Sequence, residues 1–284
     1  MNSIQFSFIT NSPELASFAV ASGVDRIFLD LEILGKQERQ GHLDTLISRH
    51  DINDVALLRV VVPAGRLLVR VNPVHNGTEA EIDRVVRDGA DIVMLPMFHG
   101  PAEVERFCHA VAGRARTCLL VETVGAMRTL NDCVRVPGVD EVHIGLNDLH
   151  LELGLPFMFE PLADGLVDSM VQVLREVGVP FGIGGVARAS EGLLPAELLL
   201  GEHARLGSTG SILSRTFHRQ ARTVDEIRAQ MDFPAEVDKL RRAHAAFATA
   251  SPAKLEVNHE EVVRRVRAIA VTLPPRRRAG FGSA

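Results

Sequence analysis

Acidic, basic and amide side chains recur at the ends of predominantly apolar runs in this sequence. Seven of them follow or close such runs: Asp30, Glu32, Arg70, Asn72, Glu122, Asn147 and Asp148. Burying polar groups of this kind without a partner is costly. They must therefore pair with one another, with a ligand or with a metal ion.

Glu122 and Asp148 are the pair best suited to metal chemistry. Two carboxylates at one place repel each other, and a hard cation such as Mg²⁺ or Mn²⁺ removes that repulsion. Mg²⁺ commonly binds one or two protein carboxylates with waters, which leaves positions open for a substrate. Alternatively, each carboxylate caps a following helix or pairs with Arg70 or Arg128. The residues alone leave both interpretations open.

Short apolar, β-branched runs alternate with amphipathic stretches along the chain, which is typical of parallel β-structure. The predicted strands are Ile4–Ile9, Arg26–Leu31, Leu67–Val71, Ile92–Pro96, Thr117–Glu122, Glu141–Gly145, Pro180–Ile183 and Arg205–Ser211. The predicted helices include Pro13–Ser22, Thr78–Asp88, Pro101–Val111 and Leu162–Glu176. Gly23, Gly89 and Gly178 stand where C-terminal helix caps are expected.

Eight such units predict an α/β protein, a (β/α)8 TIM barrel with additional C-terminal helices. A doubly wound sheet would alternate in the same way, but the number of units and the lack of GxGxxG after the first strand favour the barrel. We predict the catalytic barrel at residues 1–219, a helical extension at 220–273 and a disordered tail at 274–284. Active sites of such barrels lie at the carboxyl ends of the strands, where the seven polar residues are expected to meet.

The extension has helical patterns at Val224–Met231, Ala235–Thr249 and His259–Thr272. These segments carry too many charges to form an independent core, so we expect them to pack on the barrel or on a neighbouring subunit. His259–Glu261 is expected to be a solvated helix face, since it lacks the second histidine of a zinc motif.

Composition and charge exclude several other classes of protein. The formal net charge is −5, and the only dense basic run, Arg276–Arg278, lies in the tail, so we expect neither a nucleic-acid nor a membrane partner. Three cysteines without CxxC spacing suggest reduced thiols in a cytoplasmic protein. The start of the chain has no signal-peptide pattern, and no apolar stretch approaches the length of a membrane span.

Several motifs together resemble the HpcH/HpaI aldolase and citrate lyase β-subunit family. They occur in order between about residue 4 and residue 215, at Phe28–Glu32, Val69–Pro73, Met94–Met97, Leu120–Ala126 and Pro137–Leu149. The combination Glu-Thr, Gly-Val-Asp and Ile-Gly-x-x-Asp-Leu at this spacing is highly specific. The resemblance implies a barrel that binds a pyruvate-type 2-oxo acid through a divalent metal, Mg²⁺ or Mn²⁺.

The resemblance also implies roles for individual residues. Glu122 and Asp148 would hold the metal, and Arg70 would polarise the keto oxygen and stabilise the enolate. The substrate carboxylate would be received by the backbone amides of Gly145, Leu146, Asn147 and Asp148. No Schiff-base lysine is required, and the nearest lysine, Lys36, lies in a loop.

The sequence departs from the family pattern after the second strand. Aldolases of the family continue Asp-x-Glu-His, and the citrate lyase-like branch reads Asp-Leu-Glu-Asp, whereas here Ile33 follows Asp30 and Glu32. A replacement for the histidine base must come from elsewhere. The favoured candidate is His75, with His99 and His42 as further candidates, or Glu32 acting through a metal-bound water.

Two further features have open interpretations. The glycine-rich stretches Gly182–Gly185 and Gly207–Ser211, near Arg188 and Arg215, either bind a phosphate or allow close packing. The apolar segment Leu155–Glu160 either shapes the pocket of the second substrate or packs in the core or a subunit interface.

These observations favour a metal-dependent carbon–carbon lyase of the class II pyruvate aldolase type. Its substrate would be a 4-hydroxy-2-oxo acid, cleaved to a 2-oxo acid and an aldehyde. One alternative is a lyase of CoA thioesters of the citramalyl or malyl kind, although the missing Asp after Glu32 counts against it. Another is a barrel that binds pyruvate or phosphoenolpyruvate without turnover. We expect a homo-oligomer, a hexamer or a trimer.

Overall fold

Residues 3–34, 50–189, 191–214, 216–218 and 221–276 are described here from a computed structural model of the chain. The predictions for Lys36, His42 and Arg215, and for the tail beyond Arg276, lie outside these residues.

Eight parallel strands close into a barrel in which each strand pairs with the next along the chain and β8 pairs with β1. The strands are β1 (Gln5–Ile9), β2 (Arg26–Asp30), β3 (Leu67–Arg70), β4 (Ile92–Leu95), β5 (Arg116–Val121), β6 (Glu141–Ile144), β7 (Phe181–Val186) and β8 (Gly210–Leu213). This confirms the predicted (β/α)8 barrel.

Helices follow the strands and continue beyond β8. Those before β8 are α1 (Pro13–Ala21), α2 (Asp54–Arg59), α3 (Thr78–Arg87), α4 (Pro101–Val111), α5 (Val124–Arg128), α6 (Leu130–Cys133), α7 (Leu146–Leu153), α8 (Glu160–Ala163), α9 (Leu166–Val177) and α10 (Ala196–Leu206). The extension contains α11 (Val224–Gln230), α12 (Phe233–Ala248) and α13 (Pro252–Ala270). No helix in the described part of the chain is both long and apolar enough to cross a bilayer.

Two predicted elements have wrong boundaries. Arg205 belongs to α10, because that helix runs on to a left-handed cap at Gly207 and β8 begins only at Gly210. The predicted helix Leu162–Glu176 is two helices, α8 and α9, separated by Gly165 with a φ of +77°. Gly23, Gly89 and Gly178 all adopt positive φ at helix ends, as the predicted caps require.

Side chains that point into the barrel alternate along the strands, and this alternation places the polar residues. The inner layer consists of buried side chains from four neighbouring strands: Phe28, Leu68, Ile92, Met94, Cys118 and Leu120. Asp30, Arg70 and Glu122 are the next inward positions after Phe28, Leu68 and Leu120. The polar residues therefore cap the apolar inner layer at the carboxyl end.

The amino end of the barrel interior is also charged. Arg26 of β2 reaches across to β6, and its Nη1 lies 2.5 Å from Oε1 of Glu141. Arg116 of β5 donates to the other oxygen of Glu141 at 2.7 Å. The pair Arg26–Glu141 is mostly buried, so the bottom of the barrel is crossed by ion pairs that the sequence patterns had not indicated.

The extension wraps the outside of the barrel and packs on α10. Arg241 of α12 donates to the carbonyl oxygens of Ile4 and Gly23 and pairs with Asp25. In α13, Asn258 crosses α10 so closely that a Cβ on Gly201 would lie 2.3 Å from Asn258 Nδ2. Within the described residues, the extension thus contacts both the barrel strands and α10.

His259 is the exception within the extension. Its Nδ1 donates to Oε2 of the buried Glu202 on α10 at 2.9 Å. The predicted solvated face is wrong at His259, because this side chain packs against α10 and pairs with Glu202, whereas Glu260 is exposed.

Candidate metal and substrate site

Asp30, Glu32 and Arg70 form an ion-paired group at the carboxyl ends of β2 and β3. Asp30 and Arg70 are register partners in the two strands. Nε and Nη2 of Arg70 donate to the two oxygens of Asp30, each at 2.8 Å, and Nη2 lies 3.2 Å from Oε2 of Glu32. This bidentate geometry fixes the plane of the guanidinium.

The electrostatics of this group keep Arg70 charged. Burial by itself lowers the pKa of Arg70, but the negative charges of Asp30 and Glu32, and then of Glu122, raise the pKa above its ordinary value. Asp30, Glu32 and Glu122 are only 1%, 2% and 3% exposed. Arg70 therefore lies within electrostatic range of Glu122 and brings together two of the predicted parts of the site.

Glu122 follows the last residue of β5 and is held by the loop after β4. The backbone N–H of Met97 donates to Oε1 of Glu122 at 3.2 Å. Met97 has a φ of +51°, a left-handed conformation that is uncommon for a side-chain-bearing residue. Non-glycine residues in this region are concentrated at functional sites, because the surrounding structure must stabilise the strained backbone.

Asp148 lies in the first turn of α7, directly after β6, and Gly145 is the N-cap of that helix. Gly145 packs against Glu122, so that a Cβ at this position would lie 2.8 Å from the Glu122 Cβ and 3.1 Å from its Oε2. The missing side chain therefore leaves room beside the carboxylate. Glu122 and the start of the helix that carries Asp148 meet at this point.

The donor set and the space at Gly145 fit a divalent metal. Within the described ranges, no group of three or more His, Cys, Asp or Glu side chains is arranged to hold a metal on its own. A metal at Glu122 and Asp148 would therefore have two protein carboxylates, the low count that is usual when waters and a substrate complete the shell of Mg²⁺. Both carboxylates offer the hard oxygen donors that Mg²⁺ and Mn²⁺ prefer.

His75 lies in the loop before α3, and its ring contacts the backbone of that loop and Glu81 on α3. Its Nδ1 accepts from the backbone N–H of Gly77 at 3.0 Å, and its Nε2 lies 3.1 Å from Oε2 of Glu81. Glu81 also accepts from Asn72, whose Oδ1 receives the backbone N–H groups of Ile33 and Leu34. Asn72 thus holds the turn after Glu32, and His75 contacts Asn72's partner, Glu81.

Three further predicted residues, His99, Gly182 and Arg188, contact other parts of the protein. His99 is exposed, and its backbone packs against Gly125 at the start of α5. In the strand β7, a Cβ at Gly182 would lie 2.6 Å from Nδ1 of His143, which supports close packing inside the barrel. Arg188, which is buried, forms a two-bond fork with the partly exposed Glu191.

The segment Leu155–Glu160 packs mainly on the core. The rings of Phe157 and Phe159 meet edge to face with their centroids 5.3 Å apart, and both belong to or pack against the main hydrophobic cluster. Glu160 accepts from the backbone N–H of Phe157 and closes the turn before α8.

Sequence patterns missed three residues next to the site. His50 accepts the backbone N–H of Asp30 at 3.0 Å on its Nδ1. Met97 donates to Glu122, as described above. Glu152, on α7, accepts the backbone N–H of Val124 at 2.9 Å. Only the four-residue spacing between Asp148 and Glu152, which places them on one helix face, was visible in the sequence.

Solved structures with the same fold include members of the aldolase and citrate lyase group. An HpcH/HpaI aldolase from Desulfitobacterium hafniense DCB-2 is 17% identical, with 75% of this chain and 86% of that chain covered at a TM-score of 0.57. The protein CitE from Mycobacterium tuberculosis, in complex with magnesium and pyruvate, is 15% identical, with 92% and 98% covered at a TM-score of 0.61. At these identities the likeness shows the fold alone.

No curated protein matches the sequence significantly. In contrast, the model of the family HpcH/HpaI aldolase/citrate lyase matches residues 6–159, which is more than half of the chain. The matched region includes Asp30, Glu32, Arg70, Glu122 and Asp148. The chain therefore belongs to the HpcH/HpaI aldolase/citrate lyase family.

Proposed function

We propose that this protein is a divalent-metal-dependent lyase of the class II pyruvate aldolase type. It acts on a 4-hydroxy-2-oxo acid and breaks or forms a carbon–carbon bond next to a pyruvate enolate. The observation that carries the proposal is the meeting of Glu122 with Gly145, at the start of the helix of Asp148, within electrostatic range of Arg70. A CitE structure that shares the fold is a complex with magnesium and pyruvate, which is consistent with this ligand class.

Each residue of the site has a chemical role in this proposal. Glu122 and Asp148 would hold the metal, which when bound would supply Lewis-acid stabilisation of the keto oxygen. The guanidinium of Arg70, oriented by Asp30, donates to the same oxygen and stabilises the negative charge that develops when the carbon–carbon bond breaks. The backbone amides at residues 145–148 bind the substrate carboxylate at the beginning of α7.

Glu32 is the proton acceptor in this scheme. Its carboxylate lies beside Arg70, and it takes the proton of the substrate hydroxyl through one ordered water. His75 does not serve as the base here, because its two ring nitrogens contact Gly77 and Glu81. Ile33, where family aldolases have a histidine, offers no proton-transfer group.

The experiment that tests the proposal is a substrate panel assayed with Mg²⁺ and with Mn²⁺. Pyruvate release from 4-hydroxy-2-oxo acids is expected, and it should stop on chelation of the metal. The panel includes citramalyl-CoA and malyl-CoA. If only the thioesters are cleaved, the aldolase proposal is wrong, and if nothing on the panel is cleaved, a barrel that binds pyruvate without turnover replaces it.

The metal site is tested separately by calorimetry. Glu122→Gln and Asp148→Asn should each abolish Mn²⁺ binding while unfolding remains cooperative. Asp132→Asn is the matched control, because that carboxylate is exposed on α6 and should not change the affinity. Full affinity in both site variants would contradict the assignment.

A further inference from the structure

The two proposed metal ligands stand on separate βα units, so something must fix the distance between them. Glu122 leads into α5 through Thr123, whereas Asp148 lies within α7. Carboxylate positions have to be held to a few tenths of an ångström for a metal site to keep its affinity. A contact between these two segments would restrain that distance.

The side chain of Glu152 makes that connection. Its Oε2 accepts the backbone N–H of Val124, the first residue of α5, at 2.9 Å. The N–H groups of the first helical turn have no partner within their own helix. Thr123 Oγ1 takes one of them, that of Ala126, so the neighbouring helix α7 supplies the acceptor for Val124.

Glu152 lies one helical turn after Asp148 and on the same face of α7, because residues four apart are neighbours on a helix surface. The face of α7 that carries Asp148 is therefore the face that bonds to the segment directly after Glu122. Val124 is only two residues from Glu122, so the hydrogen bond restrains the backbone close to that carboxylate. Gly145, at the beginning of α7, packs directly on Glu122.

We infer that Glu152 is a positioning residue, which sets the spacing of Glu122 and Asp148 through its hydrogen bond to the backbone of Val124. The inference rests on the proposed metal site. It assigns Glu152 no contact with the metal or the substrate. Its importance lies in the reach and the acceptor of the side chain, and its negative charge is secondary.

Three substitutions separate reach, acceptor and charge. Glu152→Gln keeps an acceptor oxygen at the same reach without the charge. Glu152→Asp keeps the charge but is shorter by one methylene. Glu152→Ala removes both the charge and the acceptor oxygen. Second-sphere partners of metal ligands are commonly worth about 10- to 100-fold in metal affinity. We therefore expect Mn²⁺ affinity, measured by calorimetry, to fall by about 10- to 100-fold in the Asp and Ala variants and by less than about threefold in the Gln variant.

Glu160→Ala is the matched control. Glu160 also accepts a backbone N–H, that of Phe157, but this bond closes the local turn before α8 and does not join the segments of Glu122 and Asp148. It should lower the denaturation midpoint and leave the Mn²⁺ affinity unchanged. Equal affinity of Glu152→Ala and the wild type would overturn the inference, as would a Gln variant as weak as the Ala variant.

The Glu122→Gln variant, measured in the same series, separates this inference from the proposed function. If Glu122→Gln retains wild-type Mn²⁺ affinity, both the metal site and the role of Glu152 are overturned. If it abolishes binding while Glu152→Asp and Glu152→Ala bind normally, only the role of Glu152 is overturned. If Glu152→Ala does not fold, the comparison of the Gln and Asp variants still decides the question.

Discussion

Arg70 and Asp30 face each other across neighbouring strands and share two parallel hydrogen bonds of 2.8 Å. The guanidinium is thereby fixed in one plane at the carboxyl end of the barrel, above the ring of Phe28, whose centroid lies 5.6 Å from Cζ. Because Asp30 uses one edge of the fork, the orientation of the remaining donor, Nη1, is set before any substrate arrives. The site is preorganised in this respect.

Replacement of Arg70 by lysine should separate binding from turnover. A lysine keeps a positive charge but cannot form the bidentate contact with Asp30. We expect Mn²⁺ affinity within a few-fold of wild type and a fall in kcat of about 10²- to 10³-fold, the usual cost of losing one oxyanion-stabilising donor. Steady-state kinetics check this, with Arg264→Lys as control, since Arg264 forms a similar fork with Glu261 on the exposed face of α13. Unchanged kcat would exclude enolate stabilisation by Arg70.

A methyl group at Gly145 should damage the metal site without straining the backbone. Gly145 has a φ of −89°, which alanine adopts freely, but the new Cβ would lie 2.8 Å from the Cβ of Glu122. Glu122 must then move, and we expect Mn²⁺ affinity to fall by about 10-fold or more. In Gly100→Ala the Cβ meets nothing within 4 Å, and calorimetry should find its affinity unchanged. Normal Mn²⁺ binding by Gly145→Ala would show that Glu122 does not need its present position.

The crossing of α10 and α13 at Gly201 and Asn258 predicts a strong coupling between these two residues. Gly201→Ala places a Cβ against the amide of Asn258 and should lower the free energy of unfolding by about 1–3 kcal/mol through overpacking. In an Asn258→Ala background the same change should be neutral or stabilising by up to about 1 kcal/mol, because alanine favours a helix over glycine. Denaturant titrations of the four proteins form the double-mutant cycle. Equal effects in both backgrounds would contradict the contact.

Stability should fall on acidification because of two buried histidines. Burial lowers the pKa of His143 to about 4, although its hydrogen bond to the carbonyl oxygen of Gly184 opposes the shift, and burial lowers the pKa of His203 to about 3. The unfolded chain, with ordinary pKa values of about 6.5, then binds more protons than the folded one. The contribution is therefore complete above about pH 6.5 and is lost progressively as the pH falls toward 4.

The measurement is urea unfolding at several pH values between about 7 and 5. His143→Gln should show a shallower loss of stability over this interval than the wild type, since one of the two groups is removed. Acidic side chains contribute equally to both proteins and cancel in the difference. Parallel curves for the two proteins would contradict the assignment of a neutral, buried His143.

The sequence predicted the barrel, and the grouping of Asp30, Glu32 and Arg70 at its carboxyl end, because both depend on local, periodic patterns. Apolar runs that turn polar at their last inward position, as at Leu68 and Arg70, mark both the strand and its functional end. The last strand was misplaced because Arg205 follows an apolar helix segment of similar composition. Its contacts with Asp168 and Glu202 became visible only in three dimensions.

The parts of the site that were missed depend on contacts between distant segments. The hydrogen bond from Val124 to Glu152 joins two helices, α5 and α7, that no periodicity relates. The left-handed backbone of Met97 has no residue-type signal, because such conformations are expected at glycine or asparagine. His75 was favoured for its nearness to Arg70 along the chain, whereas its imidazole contacts Gly77 in its own loop and Glu81 on α3.

The closure of the barrel between β1 and β8 also determines the order of events during synthesis. Gln5 pairs with Gly210, which leaves the ribosome roughly 200 residues later. At about 5–20 residues per second, the first strand of a nascent chain waits roughly 10–40 s for its second neighbour. Until then it presents an open edge to other chains. Arg241, which donates to the carbonyl oxygens of Ile4 and Gly23, is synthesised later still. The strand that is synthesised first is therefore the one whose edge needs protection for longest.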